Sequence, residues 1–388
     1  MQQALTGNEA MALAMKQSNP DVVTGFPITP VSDILQIFSK YISDGKSDAE
    51  FVPAESEHSV ASICFGASAA GARAFTCSAS QGLELMHEIL HIISGTRLPV
   101  VVASSSRALS GPINVHGDHS DFMGMRGTSW IQLFSENAQE SYDNFIQAVK
   151  IAETAMLPAI VSSDGFFTSH NLERVETLGD KNVSDFVGVY SPKYNILNTN
   201  KPITIGPLSL PDSFMEIKKS QSEAMIESKK IISKVAQKFK SISGREYNWF
   251  KEYKLQGAEI AIVVMGSTAE SAIPVVDVLR KKGIKAGILS LRVFRPFPAD
   301  ELMAALKNLN SIAVLDRSDA FSGQGGPLFE EVKSSLYRLN KKPKIINRTF
   351  GLGGREIDEE MIGRVFEELQ KLVKGKKIDE FGYMGLKI

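Results

Sequence analysis

The stretch Asp21-Val22-Val23-Thr24-Gly25-Phe26-Pro27-Ile28-Thr29-Pro30 is a short apolar run that stops at a glycine and continues into a segment with two prolines. The run predicts a strand over residues 21–24. Proline restricts its own backbone and that of the residue before it, so Ile28 and Thr29 are predicted to be fixed in an extended loop. Loops at strand ends of this kind are where an open α/β sheet binds its ligand.

Short apolar runs of this kind alternate with helical patterns over about the first 170 residues. Apolar runs at residues 50–52, 72–76, 98–103 and 159–162 alternate with helical patterns, the longest over residues 142–155. Strands separated by helices of about 10–15 residues are typical of βαβ units, which build a parallel sheet. The sequence therefore predicts an α/β fold.

A second α/β pattern follows a break in the chain. Residues from about 186 are irregular and rich in Pro, Asn and Ser, and a lysine-rich helical pattern covers residues 213–240. That pattern predicts a solvated helix connecting two domains, with a docking surface for an acidic partner as the alternative. Strand and helix patterns alternate again from residue 257 to 373, so we expect one domain over residues 1–256, a second over 257–375 and a tail over 376–388.

Composition excludes several classes of protein. The 388 residues carry 43 Lys+Arg and 44 Asp+Glu, and a formal net charge of -1 argues against a nucleic-acid binder. No apolar run approaches the ~18 residues of a membrane span, and the first residues do not resemble a secretory signal, so a cytoplasmic protein without membrane contact is predicted. The two cysteines, Cys64 and Cys77, are too few for a disulfide framework or for a four-thiolate iron–sulfur site.

Four short segments match known functional motifs, but their sequence context does not support those functions. His87-Glu88-Ile89-Leu90-His91 matches the zincin pattern, but the third ligand at metzincin or gluzincin spacing is missing, and no metal site is predicted. Gly323-Gln324-Gly325-Gly326 and Gly351-Leu352-Gly353-Gly354 lack the third glycine of a dinucleotide loop. They predict loops with positive φ or a close backbone approach. Asp118-His119-Ser120-Asp121 contains the residue types of a Ser-His-Asp catalytic triad, but residues adjacent in sequence rarely converge in triad geometry. The segment therefore predicts a polar active-site or interface loop.

Polar residues follow four successive strands of the predicted parallel sheet. After the loop with Ile28 and Thr29 come Glu55-Ser56-Glu57-His58, then the hydroxyl-rich Thr76-Cys77-Ser78-Ala79-Ser80-Gln81-Gly82, and then Ser104-Ser105-Ser106-Arg107. The carboxyl ends of parallel strands meet at one edge of a sheet. Together, the four loops predict a binding site at that edge.

These segments resemble, in their order and spacing, the α subunits of pyruvate:ferredoxin oxidoreductases, within the thiamine-diphosphate-dependent 2-oxoacid:ferredoxin oxidoreductases. The resemblance runs from about residue 4 to 370. The segments that carry it include Gly7-Asn8-Glu9-Ala10, Phe26-Pro27-Ile28-Thr29-Pro30, Ser80-Gln81-Gly82, Arg107-Ala108-Leu109-Ser110, Asp118-His119-Ser120-Asp121, Asp164-Gly165-Phe166, Arg292-Val293-Phe294-Arg295-Pro296-Phe297 and Gly323-Gln324-Gly325-Gly326-Pro327-Leu328.

The resemblance implies a fold and a set of site residues. The fold would be the pyrimidine-binding fold of thiamine-diphosphate enzymes, a parallel sheet with helices on both faces, followed by a transketolase C-terminal-like α/β domain. Glu57 would bond the cofactor's aminopyrimidine, with Glu55 as the rival. Thr29 would bond the 2-oxo group of the substrate. Arg107 would pair with the substrate carboxylate, unless it forms a salt bridge that closes its loop. Ile28, Ser80 and Gln81 would help to bind the cofactor.

The resemblance also implies partner chains. This sequence has no G-D-G…N magnesium motif and no C-x-x-C-x-x-C run. A β subunit would therefore supply the diphosphate site, Mg²⁺ and a proximal [4Fe–4S] cluster. Small γ and δ subunits, or a fused equivalent, would supply the coenzyme A side and further clusters, and ferredoxin would accept the electrons. This chain alone would be inactive.

The implied reaction is the reversible oxidative decarboxylation of pyruvate with coenzyme A to acetyl-CoA and CO₂. A branched-chain 2-oxoacid or 2-oxoglutarate is the alternative substrate. Two other classes stay open at this point, a transketolase-like subunit without redox chemistry and a non-catalytic binding protein that keeps only the fold.

Overall fold

A computed structural model describes residues 1–387 of the chain. The first part alternates strands and helices as the sequence predicts, with short elements added between the predicted ones. In chain order its elements are β1 (Gln2–Leu5), α1 (Gly7–Gln17), β2 (Val22–Gly25), α2 (Ser32–Ser43), β3 (Glu50–Pro53), α3 (Glu57–Ala69), β4 (Ala74–Cys77), α4 (Gln81–Gly95), β5 (Val101–Ser106), α5 (Ser120–Gly124), β6 (Ile131–Ser135), α6 (Ala138–Ala155), β7 (Ala159–Asp164), β8 (Glu173–Glu176), α7 (Asp180–Val187) and α8 (Phe214–Ser243).

The second part has the same alternation and follows α8 directly. Its elements are β9 (Phe250–Tyr253), β10 (Ile260–Val264), α9 (Thr268–Lys281), β11 (Ala286–Leu291), β12 (Val293–Arg295), α10 (Ala299–Leu306), β13 (Ser311–Asp316), α11 (Pro327–Leu336), β14 (Lys344–Thr349) and α12 (Glu359–Val373).

A seven-stranded sheet forms the first layer, in the order β12-β6-β7-β5-β4-β2-β3. Its strands are parallel except for β12, which pairs antiparallel with β6. Side chains alternate between two cores, so that along β5 Val101 and Ala103 pack on one face and Val102 on the other. Helices α1 and α6 cover the first face, and α3 and α4 cover the second. The predicted parallel sheet with helices on both faces is confirmed.

A five-stranded sheet forms the second layer, in the order β14-β13-β10-β11-β9, parallel except for β9. Strand β9 lies before residue 257 yet joins this second sheet. Strand β12 lies after residue 257 and joins the first sheet through Val293 and Arg295. Each sheet therefore includes one edge strand from the other half of the chain. The domain boundary between residues 256 and 257 stays a prediction.

The lysine-rich helix α8 differs from the solvated connection predicted for it. Lys234, Lys238 and Lys240 are exposed, but Ile232 and Phe239 on the opposite face are buried in the core of the first sheet. Apolar residues three and four positions apart give the helix this packed face. Although α8 has 30 residues, no helix within residues 1–387 is both long and apolar enough to cross a membrane.

The segment after α12 returns along the second sheet. The carbonyls of Glu380 and Gly382 accept hydrogen bonds from the amides of Asn347 and Thr349 in β14, at 2.7 and 2.9 Å. The predicted tail over residues 376–388 thus packs on β14 as far as it is described, while Ile388 lies outside the described residues.

One buried carboxylate joins the two sheets. Asp164, at the end of β7, contacts Arg317 Nη1 and His119 Nε2, each at 2.8 Å, and accepts the Ser267 amide at 2.7 Å. A Cβ on Gly266 would lie 2.3 Å from its Oδ2, so only glycine allows this approach. Burial favours the neutral acid, but the charges of Arg317 and His119 hold the pKa of Asp164 well below its usual range.

We expect Asp164→Asn to lower the free energy of unfolding by about 3–5 kcal/mol, because it leaves the buried Arg317 charge without its counter-charge. Denaturant unfolding followed by circular dichroism measures this loss. Glu360→Gln is the matched control, since Glu360 pairs with Arg364 on the exposed face of α12 and should change nothing measurable.

The pH dependence gives a second test of the same pair. A carboxylate whose pKa is lowered by folding stabilises the protein above its unfolded pKa of about 4 and loses that contribution as the pH falls through the folded value. The difference in the free energy of unfolding between the wild type and Asp164→Asn should therefore become smaller below a pH of about 4. Equal stability of the two proteins at pH 7 would contradict the role of this carboxylate.

Candidate functional site

The four predicted loops lie at one edge of the seven-stranded sheet. Strands β5, β4, β2 and β3 are consecutive in the sheet and run parallel, so their carboxyl ends point the same way. Ile28, Thr29, Ser80 and Arg107 lie in the loops that follow these strands, and Glu57 and Gln81 are the first residues of the helices after two of those loops. The expected edge is therefore formed, and its chemistry depends on how each side chain is held.

Glu57 is the first residue of α3 and is only 7% exposed. Ser56 caps the helix by accepting the amide of Ser59 at 3.3 Å, which fixes where the helix begins. The Glu57 side chain lies against the first turn of α4. A Cβ on Gly82 would be 2.7 Å from Glu57 Oε1 and 2.3 Å from Ser78 Oγ, so a side chain at position 82 would fill this space.

The polar atoms around this space lack partners. Within residues 1–387, the Glu57 carboxylate accepts no hydrogen bond, and the buried hydroxyl of Ser78 has no partner either. A buried hydroxyl without a partner, next to a carboxylate that accepts no hydrogen bond from this chain, can bind a polar ligand. An aminopyrimidine ring offers ring nitrogens and an amino group, so the residues fit the pyrimidine end of thiamine diphosphate.

Glu55, the rival of Glu57, is placed differently. It is exposed, and its carboxylate accepts hydrogen bonds from Ser59 Oγ and Ser56 Oγ. The hydrogen bond from Ser59 is the main reason that the pKa of Glu55 lies below its ordinary value. A solvated, ionised Glu55 is poorly suited to activate a buried ring, which leaves Glu57 as the candidate.

Arg107 is 6% exposed and is held by main-chain carbonyls. Its Nε donates to Asn114 O at 2.8 Å and its Nη1 donates to Thr29 O at 3.0 Å, while its Nη2 makes no hydrogen bond within residues 1–387. Burial lowers the pKa of this guanidinium, and the charge of Asp121 opposes the shift. An arginine nevertheless stays protonated, so this is a buried cation with one nitrogen left free.

No carboxylate in the described part of the chain forms an ion pair with Arg107. Three other buried arginines do form such pairs: Arg317 with Asp164, Arg73 with Glu153, and Arg348 with Glu368 at 2.8 Å. Within residues 1–387 the buried Arg292 also forms no ion pair, but Asn144, Asn248 and Gln147 accept hydrogen bonds from its three nitrogens. The loop-closing salt bridge considered as an alternative is thus not formed. A buried charge that is not paired within its own chain is suited to bind an anion.

Thr29 and Ile28 lie beside this cation. The Thr29 side chain is exposed while its carbonyl accepts from Arg107, and Ile28 is half-buried against the core of the first sheet. The loop that carries them is tied down by Asn8, whose Nδ2 donates to Pro30 O at 2.7 Å. Thr29 is therefore an exposed residue on a loop whose backbone is held by Arg107 and Asn8.

Ser80 and Gln81 connect the third loop to the fourth. Ser80 Oγ lies 2.5 Å from Ala108 O, and Gln81 Nε2 donates to Ser110 Oγ. Ser80 has a φ of 52°, a conformation that is uncommon in residues other than glycine and that often marks functional sites. The structure thus joins Ser80 and Gln81 to the Arg107 loop, Arg107 to Thr29, and Glu57 to Gly82.

Asp121 and Asn8 hold the loops of the candidate site in place, but the sequence did not single out either of them as a site residue. Asp121 is fully buried and accepts the amides of Ser80 at 2.7 Å and Arg107 at 3.0 Å, which ties the third loop to the fourth. Burial raises the pKa of Asp121 to about 7, against the effect of these amides. Asn8 also accepts from Ser105 Oγ at 2.9 Å. Both residues lie in motifs quoted above, but a motif does not reveal which amides its side chains will bind.

The zincin-like pattern lies on α4, where the rings of His87 and His91 are 5.0 Å apart. Within residues 1–387, no group of three His, Cys, Asp or Glu side chains is arranged to hold a metal ion.

Comparison with known protein families gives two matches. The family described as "Pyruvate flavodoxin/ferredoxin oxidoreductase, thiamine diP-bdg" matches residues 13–237. The family described as "Pyruvate:ferredoxin oxidoreductase core domain II" matches residues 258–362.

Curated relatives match along nearly their whole length. The pyruvate synthase subunit PorA of Thermotoga maritima is 46% identical, with 99% of this chain and 98% of the relative covered. The corresponding subunit of Methanocaldococcus jannaschii is 42% identical over 95% of this chain and 94% of the relative. The ketoisovalerate oxidoreductase subunit VorA of Pyrococcus abyssi is 37% identical over 98% of this chain and 96% of the relative.

Solved structures share the fold. A 2-oxoglutarate:ferredoxin oxidoreductase from Magnetococcus marinus superposes with a TM-score of 0.73 at 20% identity. That match covers 95% of this chain and 65% of the other, so this chain spans just under two thirds of that neighbour. An inactive beta4 tetramer of a split-gene transketolase superposes with a TM-score of 0.57 at 14% identity, over 97% of this chain and 100% of the other. Both neighbours are distant in sequence and support the predicted fold class.

We expect Gly82→Ala to weaken the binding of thiamine diphosphate by roughly tenfold or more, because overpacking by a methyl group costs about 1–3 kcal/mol and here would displace the Glu57 carboxylate. Isothermal titration of the cofactor-free protein, in its native assembly, measures the affinity.

Gly66→Ala is the matched control for this substitution. Gly66 is also helical, but a Cβ there would meet nothing within 4 Å. That variant should bind the cofactor like the wild type and gain up to about 1 kcal/mol of helix stability. Equal cofactor affinities of the two variants would show that Glu57 does not need the space above Gly82.

Proposed function

Because this chain belongs to the pyruvate:ferredoxin oxidoreductase family, we propose that it is the α subunit of an enzyme that oxidatively decarboxylates pyruvate in the cytoplasm. One pyruvate and one coenzyme A would give acetyl-CoA, CO₂ and one proton, and the two electrons released would reduce two ferredoxins, in a reversible reaction. The observation that carries this proposal is the buried, unpaired Arg107 at the same sheet edge as the buried, unpartnered Glu57.

Glu57 is proposed to hold the pyrimidine ring of thiamine diphosphate. Its buried carboxyl would share a proton with a ring nitrogen, since no group of this chain competes for it within residues 1–387. Ile28, Thr29, Ser80 and Gln81 would line the ring or its neighbourhood from the adjoining loops. When bound, thiamine diphosphate supplies a centre that stabilises the carbanion left by decarboxylation.

Arg107 and Thr29 are proposed to orient the substrate. The free Nη2 of Arg107 would donate to the carboxylate of the 2-oxoacid, a charge-assisted hydrogen bond that is stronger than a neutral one. The Thr29 hydroxyl lies on the residue whose carbonyl already holds Arg107 Nη1, so both groups can reach one small ligand. Such a two-point contact fixes which bond of the substrate faces the cofactor.

Partner chains complete the proposed enzyme. A β subunit would bind the diphosphate and Mg²⁺ and carry a [4Fe–4S] cluster, while γ and δ subunits, or a fused equivalent, would carry further clusters and the coenzyme A side. The relatives named as subunits support an assembly of several chains. The absence of a magnesium motif and of cysteine runs from this sequence agrees with that division.

Pyruvate is favoured over a branched-chain 2-oxoacid or 2-oxoglutarate. The relatives named pyruvate synthase reach 46% and 42% identity, whereas those named ketoisovalerate oxidoreductase reach 37% and 38%. A transketolase-like subunit without redox chemistry is the more remote alternative, and ferredoxin reduction separates it from the proposed enzyme.

Glu57→Gln in the assembled enzyme should lower the rate of pyruvate-dependent ferredoxin reduction by about 10²–10⁴-fold, because the amide cannot exchange a proton with the ring. Glu55→Gln is the matched control and should keep nearly the wild-type rate, since Glu55 is exposed. Wild-type turnover in Glu57→Gln would remove this residue from the mechanism. A wild-type assembly that reduces no ferredoxin would contradict the redox assignment.

Arg107→Gln should raise the KM for pyruvate by about 30-fold or more, since loss of a buried charge-assisted contact costs about 2–5 kcal/mol. Arg364→Gln, which changes an exposed arginine of α12, should leave this KM unchanged. The same assay with 2-oxoisovalerate and 2-oxoglutarate tests the substrate. A larger kcat/KM for either acid than for pyruvate would replace pyruvate in the proposal.

A further inference from the structure

The loop Gly351–Gly354, called the glycine loop below, lies in the second half of the chain and has no part in the site described so far. We infer that this loop is a positioning element for Arg107, acting through the segment of residues 108–118. The inference rests on the proposed function in one respect, the assignment of Arg107 as the anchor of the substrate carboxylate.

Arg107 depends on the segment 108–118 for its position. Its Nε donates to Asn114 O, and the amide of the next residue, Ala108, donates to His116 O at 3.0 Å. The segment has no helix or strand of its own, and Ile113 at its tip is 80% exposed. A loop with so little regular structure needs outside contacts to keep a guanidinium in one place.

The glycine loop provides those contacts through the carbonyl and the amide of Gly353. Asn114 Nδ2 donates to Gly353 O at 3.2 Å, and the Gly353 amide donates to Asp118 Oδ2 at 3.1 Å. Asp118 Oδ1 in turn accepts the amide and hydroxyl of Ser120, so it links the glycine loop to the start of α5. The hydrogen bond from Asn114 and the hydrogen bond to Asp118 thus use both main-chain polar groups of Gly353.

Close packing makes the contact specific for glycine. A Cβ on Gly353 would lie 2.4 Å from Asn114 Nδ2, and a Cβ on Gly354 would lie 2.4 Å from His116 Cβ. The His116 atom is bonded to the main chain, so the segment itself would have to move. The segment is also closely packed at Gly117, where a Cβ would lie 2.5 Å from Gly165 O.

The path from the glycine loop to the guanidinium is therefore short. Gly354 touches His116, and His116 O holds the amide of Ala108 beside Arg107. Gly353 touches Asn114, whose carbonyl holds Arg107 Nε. These contacts explain why the glycine loop is rich in glycine although it is not predicted to bind a dinucleotide. They also give the second sheet a role in substrate binding.

Gly354→Ala and Gly283→Ala form a matched pair in the assembled enzyme. Gly354 has a φ of 81° and Gly283 a φ of 80°, so alanine strains the backbone at both positions. A Cβ at Gly283 meets nothing within 4 Å. We expect Gly354→Ala to raise the KM for pyruvate about tenfold with a smaller change in kcat, and Gly283→Ala to keep the wild-type KM.

A double-variant cycle with Arg107→Gln separates positioning from general damage. In the Arg107→Gln background, Gly354→Ala should raise the KM no further, because the group that it displaces is gone. Equal KM values for Gly354→Ala and Gly283→Ala, or full additivity with Arg107→Gln, would overturn the inference and leave the role of Arg107 intact. An unchanged KM in Arg107→Gln alone would instead overturn the proposed anchor.

Asn114→Ala keeps the test decisive if Gly354→Ala fails to assemble. It removes the side-chain bond to Gly353 but retains the carbonyl that accepts from Arg107. The KM for pyruvate should again rise, with cofactor affinity unchanged. A wild-type KM in Asn114→Ala would count against the inference.

Discussion

The buried carboxylate of Asp164 is the charged group that holds the two sheets together at the edge where the candidate site lies, in addition to the pairing of β12 with β6. It ends a central strand of the first sheet and is neutralised by Arg317 from the second, with His119 and Ser267 completing its shell. An ionised acid in the interior is stable only while such partners surround it. Because His119 follows the Arg107 loop directly, the same contact that joins the sheets also fixes one end of the loop that carries the proposed substrate anchor.

Two kinds of buried charge are therefore present in one small region. Asp164 and Arg317 satisfy each other within the chain, whereas among residues 1–387 the buried Arg107 forms no ion pair and the buried Glu57 side chain forms no hydrogen bond. Burial of such groups costs folding free energy, and the hydrogen bonds that hold Arg107 in place do not neutralise its charge. A site that keeps these groups open is prepared for a ligand with an anionic group and a polar ring. Asp121, which ties the Ser80 loop to the Arg107 loop, keeps that geometry from collapsing.

The sequence was informative where local patterns decide the outcome. Apolar runs bounded by glycine and proline located the parallel strands, and polar residues after them located the site edge. Antiparallel edge strands were missed, since β9 is largely polar and β12 has three residues, and their pairing is set by contacts distant in sequence. The glycine loop was predicted as a close backbone approach, but its neighbour Asn114 lies 239 residues away in sequence from Gly353. Such partners follow from how the two sheets pack, which no local pattern encodes.

The most direct measurement is a structure of the assembled enzyme with thiamine diphosphate and pyruvate bound. A Glu57 carboxylate oxygen should then lie about 2.6–3.2 Å from a nitrogen of the aminopyrimidine ring, with the pyruvate carboxylate in contact with Arg107 Nη2. A ring held by Glu55 or by another chain, or a pyruvate carboxylate remote from Arg107, would contradict the proposal that this chain provides the pyrimidine-binding and substrate-anchoring half of the active site.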